Sequence, residues 1–212
     1  MPEIHAARRR RAQEKITEAG ADAALITFGP NVRYLTGLAS SNAALLLAAD
    51  GTAVLATDSR YTLAARRDCP DLELLTERFI EARLAAELTA RGLRTVAFEA
   101  HEMSVERHAE LVARTEGVTV IPFGRKIEEL RTVKDPSEIE LLATACRITC
   151  QAIADTFSMI RPGLTERQLA AALDARMAAG ISGEPTVRAH CNGVPAVKGW
   201  KGSRGGYRHR SV

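Results

Sequence analysis

Nowhere in its 212 residues does the sequence hold a run of roughly eighteen apolar side chains, the length a membrane-spanning helix needs. The N-terminus, MPEIHAARRRRAQEK, is charged where a secretory signal would carry an apolar core, so the cytoplasm is the expected compartment. Cysteine is scarce: Cys69, Cys146, Cys150 and Cys191 form no C-x-x-C pair. Buried free thiols are therefore expected rather than zinc ligands or disulfides. No P-loop, G-x-S-x-G elbow or dinucleotide fingerprint occurs. Acidic residues run out toward one end: no aspartate follows Asp174, and from Ile181 onward the only acid is Glu184.

That last shortage shapes the charge. From Ile181 on, Arg188, Lys198, Lys201, Arg204, Arg208 and Arg210 stand against Glu184 for a net of +5, and the whole chain is +3, so the preceding residues are at −2. A nucleic-acid reading thus rests on the tail, where Trp200, Tyr207 and nearby cations could stack on and pair with a single strand. Interspersed Gly, Pro and basic residues without a period make residues 181–212 an expected disordered tail and nucleic acid an unexpected partner. The arginines of ARRRRAQEK fall on a helical pattern and are expected to form a solvated face.

What remains is ordinary globular composition, 46% hydrophobic and 26% charged. Ile4 to Ala19 reads as a helix ended by Gly20, and Ala23 to Phe28 as a buried strand stopped by Gly29-Pro30. Ala43 to Thr57 holds two apolar runs joined by Asp50-Gly51, a hairpin. TLAARRD suggests a short helix and LELLT a strand. Arg78 to Arg91 is a helix with Ile80, Leu84 and Leu88 inward; then come the strand Thr95 to Glu99, a helix capped by Ser104, and the strand VTVIPF. Strands alternating with helices after a hairpin indicate an α/β domain with a mixed sheet covered on both faces.

A different pattern begins at Asp135. Asp135 as N-cap, Pro136 at the first helical position and Glu138 three residues on make a capping box that opens a long helix. Its apolar positions, Ile139, Leu142, Ala143, Cys146, Cys150, Ile153, Ala154 and Phe157, give one wide face, and Pro162-Gly163 stops it. Thr165 and Gln168 box a second helix lined by Leu169, Leu173 and Met177. Two such helices need a partner surface, so their apolar faces dock, self-associate or stay exposed.

Asn31 to Tyr61, NVRYLTGLASSNAALLLAADGTAVLATDSRY, resembles the N-terminal domain of Xaa-Pro aminopeptidases and prolidases, the creatinase-like family. RTVKDPSEIELL and PGLTERQLAAALDARM resemble the opening of that family's second domain. One departure is Leu38, where the family often has Phe. The resemblance covers about Ile4 to Ala179. It implies an α/β fold with a mixed β-sheet flanked by helices in residues 1–131. Residues 132–180 become the first helices of an otherwise missing pita-bread domain, and 181–212 the tail.

In such enzymes two divalent metal ions, typically manganese, are held by two Asp, one His and two Glu downstream of these helices and activate a bridging water. Here only Glu184, His190, Cys191 and His209 follow, so no cofactor and no catalytic residue is expected, and the chain is expected to be inactive alone. Expected partners are a second copy or a full-length homologue, as a dimerisation or regulatory module, with a proline-containing peptide only if a catalytic domain is supplied.

The resemblance marks Asn31, Arg33, Tyr34, Ser40, Ser41, Asn42, Asp58, Arg60 and Tyr61 as family-motif residues. Ser40, Ser41 and Asn42 read as a loop, which in related dimers can reach toward the neighbouring subunit's active-site mouth. Asp58, Arg60 and Tyr61 read as an N-cap and salt-bridge arrangement or a polar cluster at a strand end. In HEMSVERHAE, His101, His108, Glu106 and Glu110 lack metal-ligand spacing and read as a solvated helix edge.

Overall fold

The structure, a computed structural model, describes residues 2–183. Glu184, His190, Cys191, Trp200, Tyr207 and His209, and with them the tail expectations, lie outside the described residues. Contacts divide the chain into two units at Lys134 and Asp135.

In the first unit, helix α1 (Pro2–Glu18) leads into strand β1 (Ala23–Ile26), helix α2 (Gly29–Thr36) and the hairpin β2 (Ala43–Ala48) and β3 (Ala53–Thr57). Helix α3 (Thr62–Asp68), β4 (Glu73–Thr76), α4 (Ile80–Ala90), β5 (Thr95–Phe98), α5 (Val105–Arg114), β6 (Thr119–Pro122) and α6 (Lys126–Thr132) follow. The hairpin turns where expected: the Asp50 carboxylate accepts the Thr52 N–H at 2.8 Å, and Gly51 takes φ +104°, open to glycine at little cost.

The six strands lie in the order β4-β3-β2-β1-β5-β6. β2 is antiparallel to both neighbours, and the other pairs are parallel, so five strands end at one edge of the sheet. The alternation of side chains along each strand sorts the apolar residues onto two faces. Ala24, Ile26, Leu45, Leu47, Leu55 and Ala97 meet Ile16 of α1, Leu35 of α2 and Ile127 of α6. On the other face Leu25, Leu46, Val54, Val96 and Phe98 meet Leu84 and Leu88 of α4 and Leu111 of α5. Each fully buried leucine contributes about 2 kcal/mol, so this double-faced core is the main stabilising element of the unit.

Two helices depart from the expected reading. Gly29-Pro30 ends β1 but also opens α2, with Pro30 in its first turn, where a missing N–H is harmless. Short α6 carries no cap signal in the sequence, and its N-cap, Arg125, makes no side-chain cap bond.

The second unit is a helical pair, α7 (Pro136–Phe157) and α8 (Glu166–Ser182), each opened by the expected capping box. Helix α7 ends at Phe157, five residues before the expected stop at Pro162. Ile148, Ala152 and Thr156 are its buried side, and Ile148 faces α8 so closely that a Cβ on Gly180 would stand 2.6 Å from its Cγ2. A glycine inside a helix costs about 1 kcal/mol; here it allows that approach. The expected apolar face is open instead: Ile139 is 56% and Phe157 65% exposed, with Leu142 and Ile153 also exposed. Cys146 and Cys150 are exposed too, against the expectation of burial, because they lie on that side; Cys69 is buried.

Candidate functional site

The motif residues divide into two polar constellations at the sheet edge where the parallel strands end. The first surrounds α2. Its N-cap, Phe28, offers no side-chain cap. Glu99, fully buried at the end of β5, does so from 71 residues away: its carboxylate accepts the N–H groups of Thr27 and Phe28, each at 2.7 Å, and the Asn31 side-chain amide at 2.6 Å. A negative group at a helix N-terminus also opposes the macrodipole favourably.

Asn31 extends this link to α6. Its Nδ2 also donates to Glu128 at 3.0 Å, and its Oδ1 accepts from Arg131 at 2.8 Å. His101 Nε2 lies 2.8 Å from the same Glu128 oxygen, so His101 is half-buried in this network rather than on a solvated helix edge. Glu106 and Glu110 are exposed as expected, and His108 lies against the Phe98 ring. Burial pushes the Glu99 carboxyl up, against the opposing pull of the Asn31 amide and the two backbone N–H groups. At Glu128 burial also acts upward, but the hydrogen bonds from His101 and Asn31 prevail and hold it below the usual range.

At the far end of α2 the last four carbonyls are each satisfied. Gly37 N–H donates to Arg33 O at 2.7 Å, Arg8 to Tyr34 O at 3.1 Å, Arg9 to Leu35 O at 2.9 Å, and the Cys69 thiol to Thr36 O at 3.2 Å. His5 Nδ1 also lies 3.0 Å from Tyr34 O. Arg8 and Arg9 are only 6% and 7% exposed, Arg8 stacks 4.3 Å over the Tyr34 ring, and Arg9 pairs with Asp71. The expected solvated arginine face is therefore corrected for these two: helix-end carbonyls compensate the burial of their charge. Burial raises the Cys69 thiol to about 11, which keeps it a neutral donor. Asn31 and Tyr34 are thus buried framework residues, and Arg33 between them is half-buried.

The second constellation joins the remaining motif residues. Asn42, just ahead of β2, donates to Asp58 at 2.8 Å, and Arg60 grips the same carboxylate through Nε at 3.0 Å and a terminal nitrogen at 2.7 Å. The Arg60 backbone N–H adds a bond at 3.0 Å. Ser41 Oγ and Tyr61 OH lie 2.8 Å apart, and Ser40 Oγ accepts the Asn42 N–H at 3.0 Å. Asp58 is no N-cap; Tyr61 holds that place on α3, without a side-chain cap bond. The Arg60 guanidinium, and after it the Asn42 amide, hold Asp58 far below the usual carboxylate range.

Asn42, Asp58 and Arg60 line a groove of about 560 Å³ with Thr76, Arg78 and Phe79. A second groove, about 460 Å³, shares Asn42, Arg78 and Phe79 and runs between α4 and α5. Asp58, gripped by four N–H donors, is held as a carboxylate at neutral pH, and the Arg60 guanidinium also lies 5.3 Å over the Tyr61 ring. Around α2, Glu99 is saturated by donors. Buried side-chain atoms around α2 without a hydrogen-bond partner among the described residues include Thr27 Oγ1, His101 Nδ1 and one Glu128 oxygen. Among the described residues no group of three His, Cys, Asp or Glu is placed to hold a metal ion.

Residues 8–133 match the Creatinase/Prolidase N-terminal domain, a span that includes every strand among the described residues and both constellations apart from His5. The chain belongs to this family. The uncharacterized peptidase YqhT of Bacillus subtilis (strain 168) is 28% identical over 161 residues, 76% of this chain and 45% of YqhT. The chain spans about half the length of the curated relatives it matches. The N-terminal domain of the cytoplasmic peptidase PepQ from Mycobacterium tuberculosis H37Rv is 38% identical, with a TM-score of 0.57 over 59% of this chain and 98% of that one. The X-Pro aminopeptidase from Thermotoga maritima MSB8 is 29% identical, with a TM-score of 0.70 over 81% of this chain and 49% of its own.

For this creatinase/prolidase N-terminal domain, the sequence motif names the smaller part of the α2 frame and most of the second constellation. Glu99, Glu128, Cys69, Arg8 and Arg9 complete the α2 frame, and Arg78 with exposed Phe79 completes the groove. The one signal for Glu99 is an acid closing the apolar strand TVAF; its partners at Thr27, Phe28 and Asn31 are too distant in sequence to be inferred.

Proposed function

We propose that residues 2–134 are the non-catalytic N-terminal domain of a metal-dependent, cytoplasmic Xaa-Pro peptidase, and that α7 and α8 open its catalytic domain. Hydrolysis of proline-containing peptides then belongs to a second half that supplies the two Asp, one His and two Glu for a pair of divalent ions, manganese by family resemblance. The observation that carries this reading is the family match combined with a span of only 45% of YqhT. In this reading the Asn42–Asp58–Arg60 groove is a rigid wall against which a peptide or a neighbouring subunit's active-site mouth rests.

The chain by itself is inactive on this proposal. Purified protein incubated with Ala-Pro and Arg-Pro-Pro, with Mn²⁺, Co²⁺ or Zn²⁺, should release no product. Chelator-sensitive cleavage of either peptide would overturn the assignment. A second reading, a module that pairs with a full-length homologue, is favoured by the exposed apolar residues of α7.

A further inference from the structure

Helices α4 and α5 follow the parallel strands β4 and β5 and pack on the same face of the sheet, over Leu25, Leu46 and Val96. The groove of about 460 Å³ between them takes no part in the functional reading above. Its shape comes from small residues. Ala82 and Ala85 line it from α4, opposite a row on α5 made of Arg107, Leu111 and Arg114, spaced four and three apart. Two methyl groups do not fill the space beside a leucine and two arginines, so a trough remains, floored by the buried side chains of Ile80, Ala85 and Leu111.

The charges along this trough are unevenly matched. Arg107 pairs with Glu81 across the two helices, its Nε 3.2 Å from the carboxylate, which ties α4 to α5. Arg78 and Arg114 make no hydrogen bond or ion pair among the described residues. Glu110 is the other acid on the lining, so three arginines stand against two glutamates. The Arg78 guanidinium lies 5.7 Å from the centre of the Phe79 ring, and Phe79 is 74% exposed. A guanidinium without a partner is a donor fork that fits a carboxylate through two parallel hydrogen bonds. The exposed ring and the apolar floor fit an apolar body. A volume of this size falls within the range of small-molecule sites, roughly 300–1,000 Å³.

We propose that the α4–α5 groove is a binding site for a small amphipathic anion, a carboxylate carried on an aromatic or aliphatic body. The carboxylate pairs with Arg78, and the body lies over Phe79, Ile80 and Leu111 in the room left by Ala82 and Ala85. Arg114, about 10 Å along α5 from Arg107, adds positive potential from the other end. The same arginines disfavour a cationic ligand of equal shape. The proposal does not depend on the peptidase reading.

The full chain, isotope-labelled, is titrated by NMR with 3-phenylpropionate, and in parallel with 3-phenylpropanol and 3-phenylpropylamine, which keep the body and change the charge. The carboxylate should give saturable amide shifts confined to residues 78–85 and 107–114, with an affinity at least about tenfold above that of the alcohol or the amine. Arg78→Gln should lower that affinity about fivefold or more at an unchanged melting temperature, and Arg114→Gln about twofold. Ala82→Leu keeps both cations and fills the trough, so it should lower the affinity about fivefold or more, a loss that a merely electrostatic attraction would not produce. Equal binding of the three compounds, or shifts centred on α7 or on Asp58 and Arg60, overturns the proposal. So does a lack of saturation by about 20 mM, several times the dissociation constant that a ligand of this size reaches in a formed pocket. Wild-type affinity in Arg78→Gln or in Ala82→Leu overturns it as well.

Discussion

Helices α2 and α7 both carry proline in the first turn, and there the likeness stops. Eight-residue α2 has no capping side chain of its own, buries Asn31, Val32, Tyr34, Leu35 and Thr36, and is held at both ends by residues far away in sequence. Twenty-two-residue α7 caps itself through Asp135 and Glu138 and leaves its apolar stripe open. Local chemistry suffices to start α7, whereas distant chemistry both starts α2 and makes it framework.

Removing the distant chemistry breaks the comparison most sharply. Glu99→Ala leaves two backbone N–H groups and the Asn31 amide unpartnered in a buried site, and should cost about 3 kcal/mol by chemical denaturation. A loss below about 1 kcal/mol, within the range of ordinary substitutions, would show that α2 is not held from its N-terminus. Gly37→Ala acts at the other end. With φ at +84° and a new Cβ only 2.7 Å from His5 Nε2, it should cost about 2 kcal/mol.

Acid titration sharpens the difference between the two constellations, because their carboxylates shift in opposite directions. Asp58 is depressed, so its contribution is present above the ordinary aspartate range near about 4 and is lost as pH falls below it; Asp58→Asn should flatten that acid limb. Glu99 is raised, so its contribution is present below the ordinary glutamate range and is lost as pH rises through the raised value; Glu99→Gln should remove that loss. Melting curves between pH 3 and 7 separate the two, and a common sign would contradict the assigned environments.

The thiols offer a smaller contrast. In a Cys191→Ser background the native chain should label rapidly at Cys146 and Cys150, while Cys69, buried with its thiol raised to about 11, should label only on unfolding. Smallest of all, Ile139→Glu on the open stripe should change stability by no more than about 0.5 kcal/mol. A larger loss would mean the stripe is already covered.

Most of the fold could be read from the sequence. Strand alternation, the Asp50-Gly51 turn, the Ser104 cap and both capping boxes act between residues a few positions apart, and these elements stand where the pattern put them. The site was legible only in part. Gly29-Pro30 looked like a stop because what makes it a start is Glu99, and a row of arginines looked solvated because the carbonyls that receive Arg8 and Arg9 lie 26 residues on. Cys146 and Cys150 looked buried because their stripe has the composition of a core, which fixes its character but not its partner.

The long separations in the α2 frame also set an order of events during synthesis. The segment Gly29–Thr36 is made early, but Arg131, whose guanidinium reaches Asn31, comes 100 residues later. At translation rates of 5–20 residues per second, that interval is roughly 5–20 s. Until then the nascent chain presents Val32 and Leu35, and the unpaired edge of β1, without their final cover, so a chaperone that binds short apolar segments has its widest opportunity there. Synonymous codons that slow the ribosome between residues 37 and 131 would lengthen that exposure without altering the finished molecule.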